Sequence, residues 1–306
     1  MPETEFVIGI DLGGTKVEAC LLDKERQCLS RQRRMSEASL GLDRVLENIF
    51  AVVEGAAQGK PFRAVGIGTP GTYGPEDDRL YGSPHTPAYE TPGFMGRLKE
   101  RLGVPLVVEN DANCLALAEY FHACHGRFKS VIAVILGTGI GCGLILDQRL
   151  YRGVRGGAGE IGHTTLDIHG RPCQCGRIGC AEAYLSGPSL IRRFAEAGGG
   201  TVTVQDIYRR YEAGDSRAMA LFEESCLLLA ELIANAVNTL DLEAVILGGG
   251  VSNLPLWYEK VGPLIQKSLF GPPRPPIAIL KAGLGDSAGV FGAAYLALRE
   301  IGKMEF

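Results

Sequence analysis

His163, Cys173, Cys175 and Cys180 put one imidazole and three thiols into one short stretch of chain. These are the donors that Zn²⁺ takes in tetrahedral structural sites. Free or redox-active thiols are the competing reading. The redox motif, however, is Cys-x-x-Cys, whereas here Cys173-Gln174-Cys175 is followed by a third thiol in Gly176-Arg177-Ile178-Gly179-Cys180. Four protein ligands leave no open position, so a zinc held this way shapes a loop and performs no chemistry itself. Two acids flank the set, Glu160 in Glu160-Ile161-Gly162-His163 and Glu182 in Cys180-Ala181-Glu182. Taken singly, each glutamate reads as solvated. On a metal-pinned loop they are placed to accept hydrogen bonds from several hydroxyls of one ligand, because the backbone is fixed before the ligand arrives. That arrangement suits a sugar.

A second kind of chemistry lies in three glycine turns, each closing an apolar run. They are Gly13-Gly14 in Asp11-Leu12-Gly13-Gly14-Thr15-Lys16, then Gly137-Thr138-Gly139-Ile140-Gly141, and Gly248-Gly249-Gly250. Glycine leaves the backbone N–H groups of a turn uncovered, which is a cradle for phosphate oxygens. None fits the P-loop pattern or the strand-to-helix Gly-x-Gly-x-x-Gly of dinucleotide binding. Asp11 beside the first cradle suggests a hydrated Mg²⁺, an ion that keeps several waters and is held through few protein groups. Glu109-Asn110-Asp111-Ala112-Asn113 follows another apolar run, Leu106 to Val108. A carboxylate at the carboxyl end of a strand is where open α/β sheets place working groups, so Asp111 reads as a general base for a substrate hydroxyl. It reads equally as part of an Asp-Asn cap for the apolar helix that begins near Cys114.

The elements that must position these groups alternate between strand and helix. Phe6 to Ile10 and Val17 to Leu22 read as a hairpin, because the Gly-Gly turn is too short for a crossover helix. Helical periodicity marks Leu42 to Ala57, Phe94 to Leu102, Ala218 to Leu240 and Ala288 to Glu300. Ala64 to Gly68, Ser130 to Leu136, Gly143 to Leu146 and Ala244 to Leu247 read as strands, and Thr69 to Gly93 as a Pro/Gly-rich loop. With 306 residues and 46% hydrophobic content, the chain can bury a large core in two domains. A formal net charge of −4 gives no footprint for nucleic acid, and Arg31-Gln32-Arg33-Arg34 reads as a short solvated basic cluster. No apolar run spans a bilayer and the N-terminus lacks the features of a signal peptide, so the expectation is a cytoplasmic protein without a membrane partner. Cys20, Cys28, Cys114, Cys124, Cys142 and Cys226 are scattered and read mostly as buried free thiols.

Taken in order, these pieces resemble the ROK family (repressor, open reading frame, kinase) of sugar kinases. The matching segments are Asp11-Leu12-Gly13-Gly14-Thr15-Lys16, Pro70-Gly71, Asn110-Asp111-Ala112-Asn113, Gly137-Thr138-Gly139-Ile140-Gly141, Glu160-Ile161-Gly162-His163, the Cys173 to Glu182 segment, and Gly248-Gly249-Gly250. The resemblance implies a two-domain actin-like and hexokinase-like ATPase fold, α/β with ribonuclease H-like mixed sheets and a cleft between domains. It implies a small domain over residues 1–116, completed by the helix at 288–306, and a larger domain at 117–287 that carries the zinc loop. Asp111 would be the catalytic base. Gly71, Asn110, Asp111, Glu160, His163 and Glu182 would hold the sugar, His163 serving metal and sugar through different ring nitrogens. ATP would lie on Asp11, Gly13, Gly14, Thr15, Lys16, Gly137, Thr138, Gly139, Gly248, Gly249 and Gly250, with Mg²⁺, and structural Zn²⁺ on His163, Cys173, Cys175 and Cys180. A homodimer or homotetramer is expected.

The implied reaction moves the γ-phosphoryl group of ATP to the 6-hydroxyl of a hexose (glucose, fructose or mannose), with an N-acetylglucosamine kinase as the alternative. Family members often read Ser-Pro-Asn and then an aromatic before the catalytic strand. This chain has Ser83-Pro84-His85-Thr86-Pro87-Ala88-Tyr89 instead, which changes one edge of the sugar site. A sugar-responsive repressor would need a helix-turn-helix ahead of the first strand, which already starts at Phe6. A sugar sensor without catalysis is disfavoured by the intact Asp11, Gly13, Gly14 and Asp111.

Overall fold

A computed structural model describes residues 5–83 and 86–306. In chain order its main elements are β1 (Val7–Leu12), β2 (Lys16–Leu22), β3 (Cys28–Met35), α1 (Leu42–Ala57), β4 (Val65–Thr69), β5 (Thr72–Gly74), β6 (Arg79–Tyr81), α2 (Phe94–Leu102), β7 (Leu106–Asn110) and α3 (Asp111–His122). The second half continues with β8 (Val131–Leu136), β9 (Ile140–Leu146), β10 (Arg149–Tyr151), α4 (Glu182–Leu185), α5 (Gly187–Glu196), α6 (Val204–Glu212), α7 (Ser216–Leu240), β11 (Ala244–Gly248), α8 (Leu256–Ser268), β12 (Ala278–Lys281) and α9 (Ala288–Glu300). Among the described residues, no helix is long and apolar enough to cross a membrane.

The fold is a two-domain mixed α/β architecture. One compact unit takes the described residues of Met1–Glu119, Arg152–Ala158 and Asp286–Phe306; the other takes Tyr120–Tyr151 and Gly159–Gly285. The first contains a five-stranded sheet in the order β3-β2-β1-β4-β7. β2 runs antiparallel to β1, as the short Gly13-Gly14 turn requires, while β4 and β7 run parallel through helical crossovers. Register places Asp11, Gly68 and Glu109 side by side at the carboxyl ends of β1, β4 and β7. Buried residues of α1 (Val45, Ile49, Val52 and Val53) join Ile8, Ile10, Val65 and Ile67 in one apolar core. α9 lies close against β1 and β4 because Gly9 and Gly66 have no side chains. A Cβ on Gly9 would fall 2.6 Å from Ala294 N, and one on Gly66 would overlap the Ala293 carbonyl.

The second unit repeats the grammar in a sheet ordered β10-β9-β8-β11-β12, with β9 antiparallel to β8 and β11 parallel to it. Gly248 pairs with Ile135, so the turns after β8 and β11 leave the same sheet edge.

Four local expectations change. The basic run Arg31-Gln32-Arg33-Arg34 is the middle of the exposed edge strand β3, where Arg33 stands opposite Glu18. β9 begins at Ile140 and includes Gly141 and Gly143, so the glycine turn before it is shorter than the sequence suggests. The Thr69 to Gly93 loop contains the β5–β6 hairpin. β7 extends to Asn110 and α3 starts at Asp111, leaving no connecting residue between strand and helix.

Candidate active site

The abrupt β7–α3 junction presents Asn110 and Asp111, and a buried carboxylate behind it explains how. Glu109 is 6% exposed. It accepts hydrogen bonds from the Asn110 N–H at 2.9 Å, from Asn113 Nδ2 at 2.9 Å and from Arg152 Nε. The guanidinium supplies the opposite charge that a buried carboxylate needs. Asn110 caps the helix, its Oδ1 accepting the Ala112 N–H at 2.9 Å, and its Nδ2 donates to the Gly71 carbonyl at 3.0 Å. Asp111 also accepts the Ala112 N–H, at 2.8 Å, with its side chain exposed. The capping role and the exposed acid therefore fall on neighbouring residues, and the two readings of this pair do not compete.

Asp11 shares this part of the first unit. Burial pushes its carboxyl up to about 7; the Asp111 and Glu18 carboxylates add to the rise, and Lys16 and Arg33 oppose it. Gly289, in the first turn of α9, is pressed against it, since a Cβ there would come within 2.9 Å of the Asp11 carboxyl carbon. Two carboxylates in one another's field, one of them reluctant to ionise, suit a divalent cation.

The first glycine turn is held from both sides. The Gly13 N–H donates to the Lys16 carbonyl at 2.9 Å, Tyr89 donates its phenol to the Gly13 carbonyl at 2.9 Å, and Ser36 Oγ donates to the Gly14 carbonyl at 2.8 Å. Lys16 Nζ lies 2.9 Å from Asp286 Oδ2. Tyr89 is fully buried, so it anchors this turn; His85 lies outside the described residues.

In the second unit, Gly137 N–H donates to the Gly139 carbonyl at 3.0 Å and the Gly137 carbonyl accepts Gly187 N–H at 2.8 Å. The N–H groups of Gly13 and Gly137 are thus engaged inside their own turns, while Gly14, Thr15 and Thr138 are exposed. The third turn, Gly248 to Gly250, is braced by Ser252 Oγ donating to the Gly249 carbonyl at 2.7 Å and by the buried Trp257, whose indole donates to the Val251 carbonyl at 2.8 Å.

The four proposed metal ligands converge. One donor atom from each of His163, Cys173, Cys175 and Cys180 lies within 4.8 Å of the other three. Cys173 Sγ is 3.7 Å from His163 Nδ1, and Cys175 Sγ is 3.7 Å from Cys180 Sγ. A tetrahedral zinc with Zn–S bonds of about 2.3 Å spaces its sulfurs ~3.8 Å apart, so the donor set fits that ion. Burial holds the Cys173 and Cys180 thiols above their ordinary range, whereas the Arg177 backbone N–H lowers Cys175. Glu160 is exposed one turn before His163, and its carbonyl accepts the His163 N–H at 3.1 Å. Glu182 opens α4 with Oε2 accepting the Ile140 N–H at 2.9 Å, which ties it to the glycine turn after β8.

The proposed site residues fall in two groups. Asp11, Gly13, Gly14, Thr15, Lys16, Gly71, Asn110 and Asp111 belong to the first unit; Gly137, Thr138, Gly139, Glu160, His163, Glu182, the three cysteines and Gly248 to Gly250 belong to the second. Glu109, Arg152 and Tyr89 had no assigned part in the sequence reading. Glu109 was visible as an acid inside an apolar strand, but nothing near it in sequence points to Arg152.

The raised value at Asp11 has a signed consequence in protein free of divalent cation. The unfolded chain ionises near 3.8 and the folded chain only near 7. The folded state binds more protons between those values, so stability falls as pH rises through that window. Asp11→Asn should match the parent protein near pH 4 and become progressively more stable than it up to about pH 7, as read by urea denaturation at several pH values. A constant difference across the range would contradict this.

A model of the ROK family matches residues 7–300 of the chain. An N-acetyl-D-glucosamine kinase of Pasteurella multocida is 34% identical over 95% of this chain and 98% of its own. Among solved structures, a ROK hexokinase from Thermus thermophilus is 34% identical with a TM-score of 0.88, covering 98% of this chain and 100% of that one. A ROK family glucokinase from Streptomyces griseus, solved with glucose and AMPPNP, is 34% identical with a TM-score of 0.76, covering 96% and 99%. The alternating sheets, the three strand-end turns and the order of the site residues have the same explanation as these similarities: the chain belongs to the ROK family.

Proposed function

We propose that this chain is an ATP-dependent sugar kinase that transfers the γ-phosphoryl group to the 6-hydroxyl of a hexose such as glucose, fructose or mannose. The observation that carries the reading is the exposed Asp111 carboxylate on a strand–helix junction locked from behind by Glu109. Asp111 takes the proton from the sugar hydroxyl as its oxygen attacks the γ-phosphorus. The new P–O bond forms while the bond to the β–γ bridging oxygen breaks, and ADP leaves. Gly71, Asn110, Glu160, His163 and Glu182 orient the sugar. His163 turns Nδ1 toward Cys173, and in this reading its other ring nitrogen takes a sugar hydroxyl.

The turns at Gly13, Gly14 and Thr15, at Gly137, Thr138 and Gly139, and at Gly248, Gly249 and Gly250 receive the nucleotide, with Lys16 as the cation of the first. Mg²⁺, held on the Asp11 side, supplies charge neutralisation on the β- and γ-phosphates when bound. His163, Cys173, Cys175 and Cys180 would hold Zn²⁺, which would keep the loop that carries Glu160 and Glu182 in one shape.

A second reading, phosphorylation of N-acetylglucosamine, is favoured by the curated relatives of that name, such as the one from Pasteurella multocida. The two differ at the C2 position, where the acetylated sugar needs room for an acetamido group. A kcat/KM for glucose, fructose or mannose above that for N-acetylglucosamine is expected. A preference of about tenfold or more for the acetylated sugar, ~1.4 kcal/mol, would establish the second reading instead.

Asp111→Asn should lower kcat by roughly two to four orders of magnitude while sugar binding persists, the scale of general base catalysis. Near-normal turnover in a folded variant would end the assignment. Protein never exposed to chelator should carry one zinc per chain by elemental analysis, and Cys175→Ser should lose both metal and sugar affinity. Zinc-free protein with full sugar affinity would contradict the structural role.

A further inference from the structure

Glu182 has two carboxylate oxygens with different surroundings. Oε2 accepts the Ile140 N–H of the β8–β9 turn at 2.9 Å, and Oε1 lies 3.9 Å from the sulfur of the metal ligand Cys173. The turn is shaped around this carboxylate, since a Cβ on Gly139 would fall 2.6 Å from Oε2. The backbone of Glu182 is fixed independently of its side chain: its carbonyl accepts Ser189 Oγ at 2.8 Å and the Ser186 N–H at 3.3 Å. One side chain thus spans from the metal loop to the backbone of a turn whose next residues face the proposed phosphate.

We propose that Glu182 is a positioning residue for the nucleotide, holding the Gly137–Ile140 turn in its phosphate-receiving shape in addition to serving the sugar. The inference rests on the reading that this turn receives the nucleotide, and it assigns Glu182 an effect that a sugar contact alone does not have. Nucleotide affinity depends on Glu182 even when no sugar is present. The dependence is on reach and not on charge: the bond needs an acceptor oxygen at the end of a two-methylene side chain. Removing a negative charge near an anionic ligand would by itself tighten binding. The mechanical and electrostatic accounts therefore have opposite signs.

The test is the affinity for AMPPNP with magnesium, measured calorimetrically without sugar, for the zinc-loaded parent protein and three variants. Glu182→Asp keeps the charge but withdraws the oxygen by one methylene; Glu182→Gln keeps the reach and loses the charge; Glu182→Ala loses both. The Asp and Ala variants should bind AMPPNP about tenfold more weakly, as expected for loss of one hydrogen bond that orders a binding loop. The Gln variant should stay within about threefold of the parent because its amide oxygen still accepts the Ile140 N–H, while its sugar affinity falls. Retained zinc content and an unchanged circular dichroism spectrum identify the folded variants, and the Asp and Gln pair decides the matter if Ala does not fold. Parent-like AMPPNP affinity in Glu182→Asp, or tighter binding in Glu182→Gln, would overturn the inference alone. Failure of the parent protein to bind AMPPNP would remove the nucleotide reading beneath it.

Discussion

Glu109 is a buried carboxylate on which three donors converge: the Asn110 N–H, the Asn113 amide and the Arg152 guanidinium. Each bond also places something else. The first two fix the end of β7 and the first turn of α3, so Asn110 points its amide at Gly71 and Asp111 stays exposed at the head of the helix. The third ties Arg152, the first residue of the 152–158 segment that packs with the first unit, to this group. A partner lost from this group would leave a buried charge unmatched, a cost of several kcal/mol that a surface pair never carries. A general base placed on this junction would need such a fixed backbone beneath it.

The second unit solves its problem with a different kind of bond. Its loop from Gly159 to Cys180 has little regular structure, only a short 3-10 turn at Ile161–His163 and two isolated bridges, Thr165 with Cys180 and Pro172 with Ile178. Turn-type backbone bonds hold it, among them the Leu166 N–H to the Gly179 carbonyl at 2.8 Å and the Cys173 N–H to the Arg177 carbonyl at 2.8 Å. Four donor atoms gathered within 4.8 Å of one another would add a further constraint when a metal is bound. Burial raises the Cys173 and Cys180 thiols. The same stretch of chain leads to Glu182, which is bonded to the turn after β8, so the His/Cys cluster and the glycine turn meet at one carboxylate.

Much of this was legible because the relevant signals are local. The helices Leu42–Ala57, Phe94–Leu102 and Ala288–Glu300 fall where apolar periodicity placed them, and the Gly13-Gly14 turn forced the β1–β2 hairpin. His163, Cys173, Cys175 and Cys180 lie close enough in sequence that spacing alone suggests their convergence. Long-range pairing was what could not be read. The basic cluster is exposed as expected, but the sequence did not show that it is a strand whose Arg31 and Arg33 reach the buried Glu18 across the pair. Arg152 finds Glu109 43 residues away, with no periodicity to connect them. β9 was entered too late because Gly141 and Gly143 read as turn, whereas strand pairing with β8 carries them. Tyr89 had no assigned part in the sequence reading, and its burial makes it an anchor for the Gly13 carbonyl.

The most direct test of the account is where the phosphate goes. Protein incubated with magnesium, ATP and carbon-13-labelled glucose or N-acetylglucosamine can be followed by carbon and phosphorus nuclear magnetic resonance. The account expects stoichiometric ADP and a phosphate-coupled C6 signal in at least one sugar, and no such product with Asp111→Asn on the same timescale. Phosphate appearing on another carbon, or ATP hydrolysed to free phosphate while hexoses and N-acetylhexosamines remain unchanged, would contradict the assignment of this chain as a sugar 6-kinase.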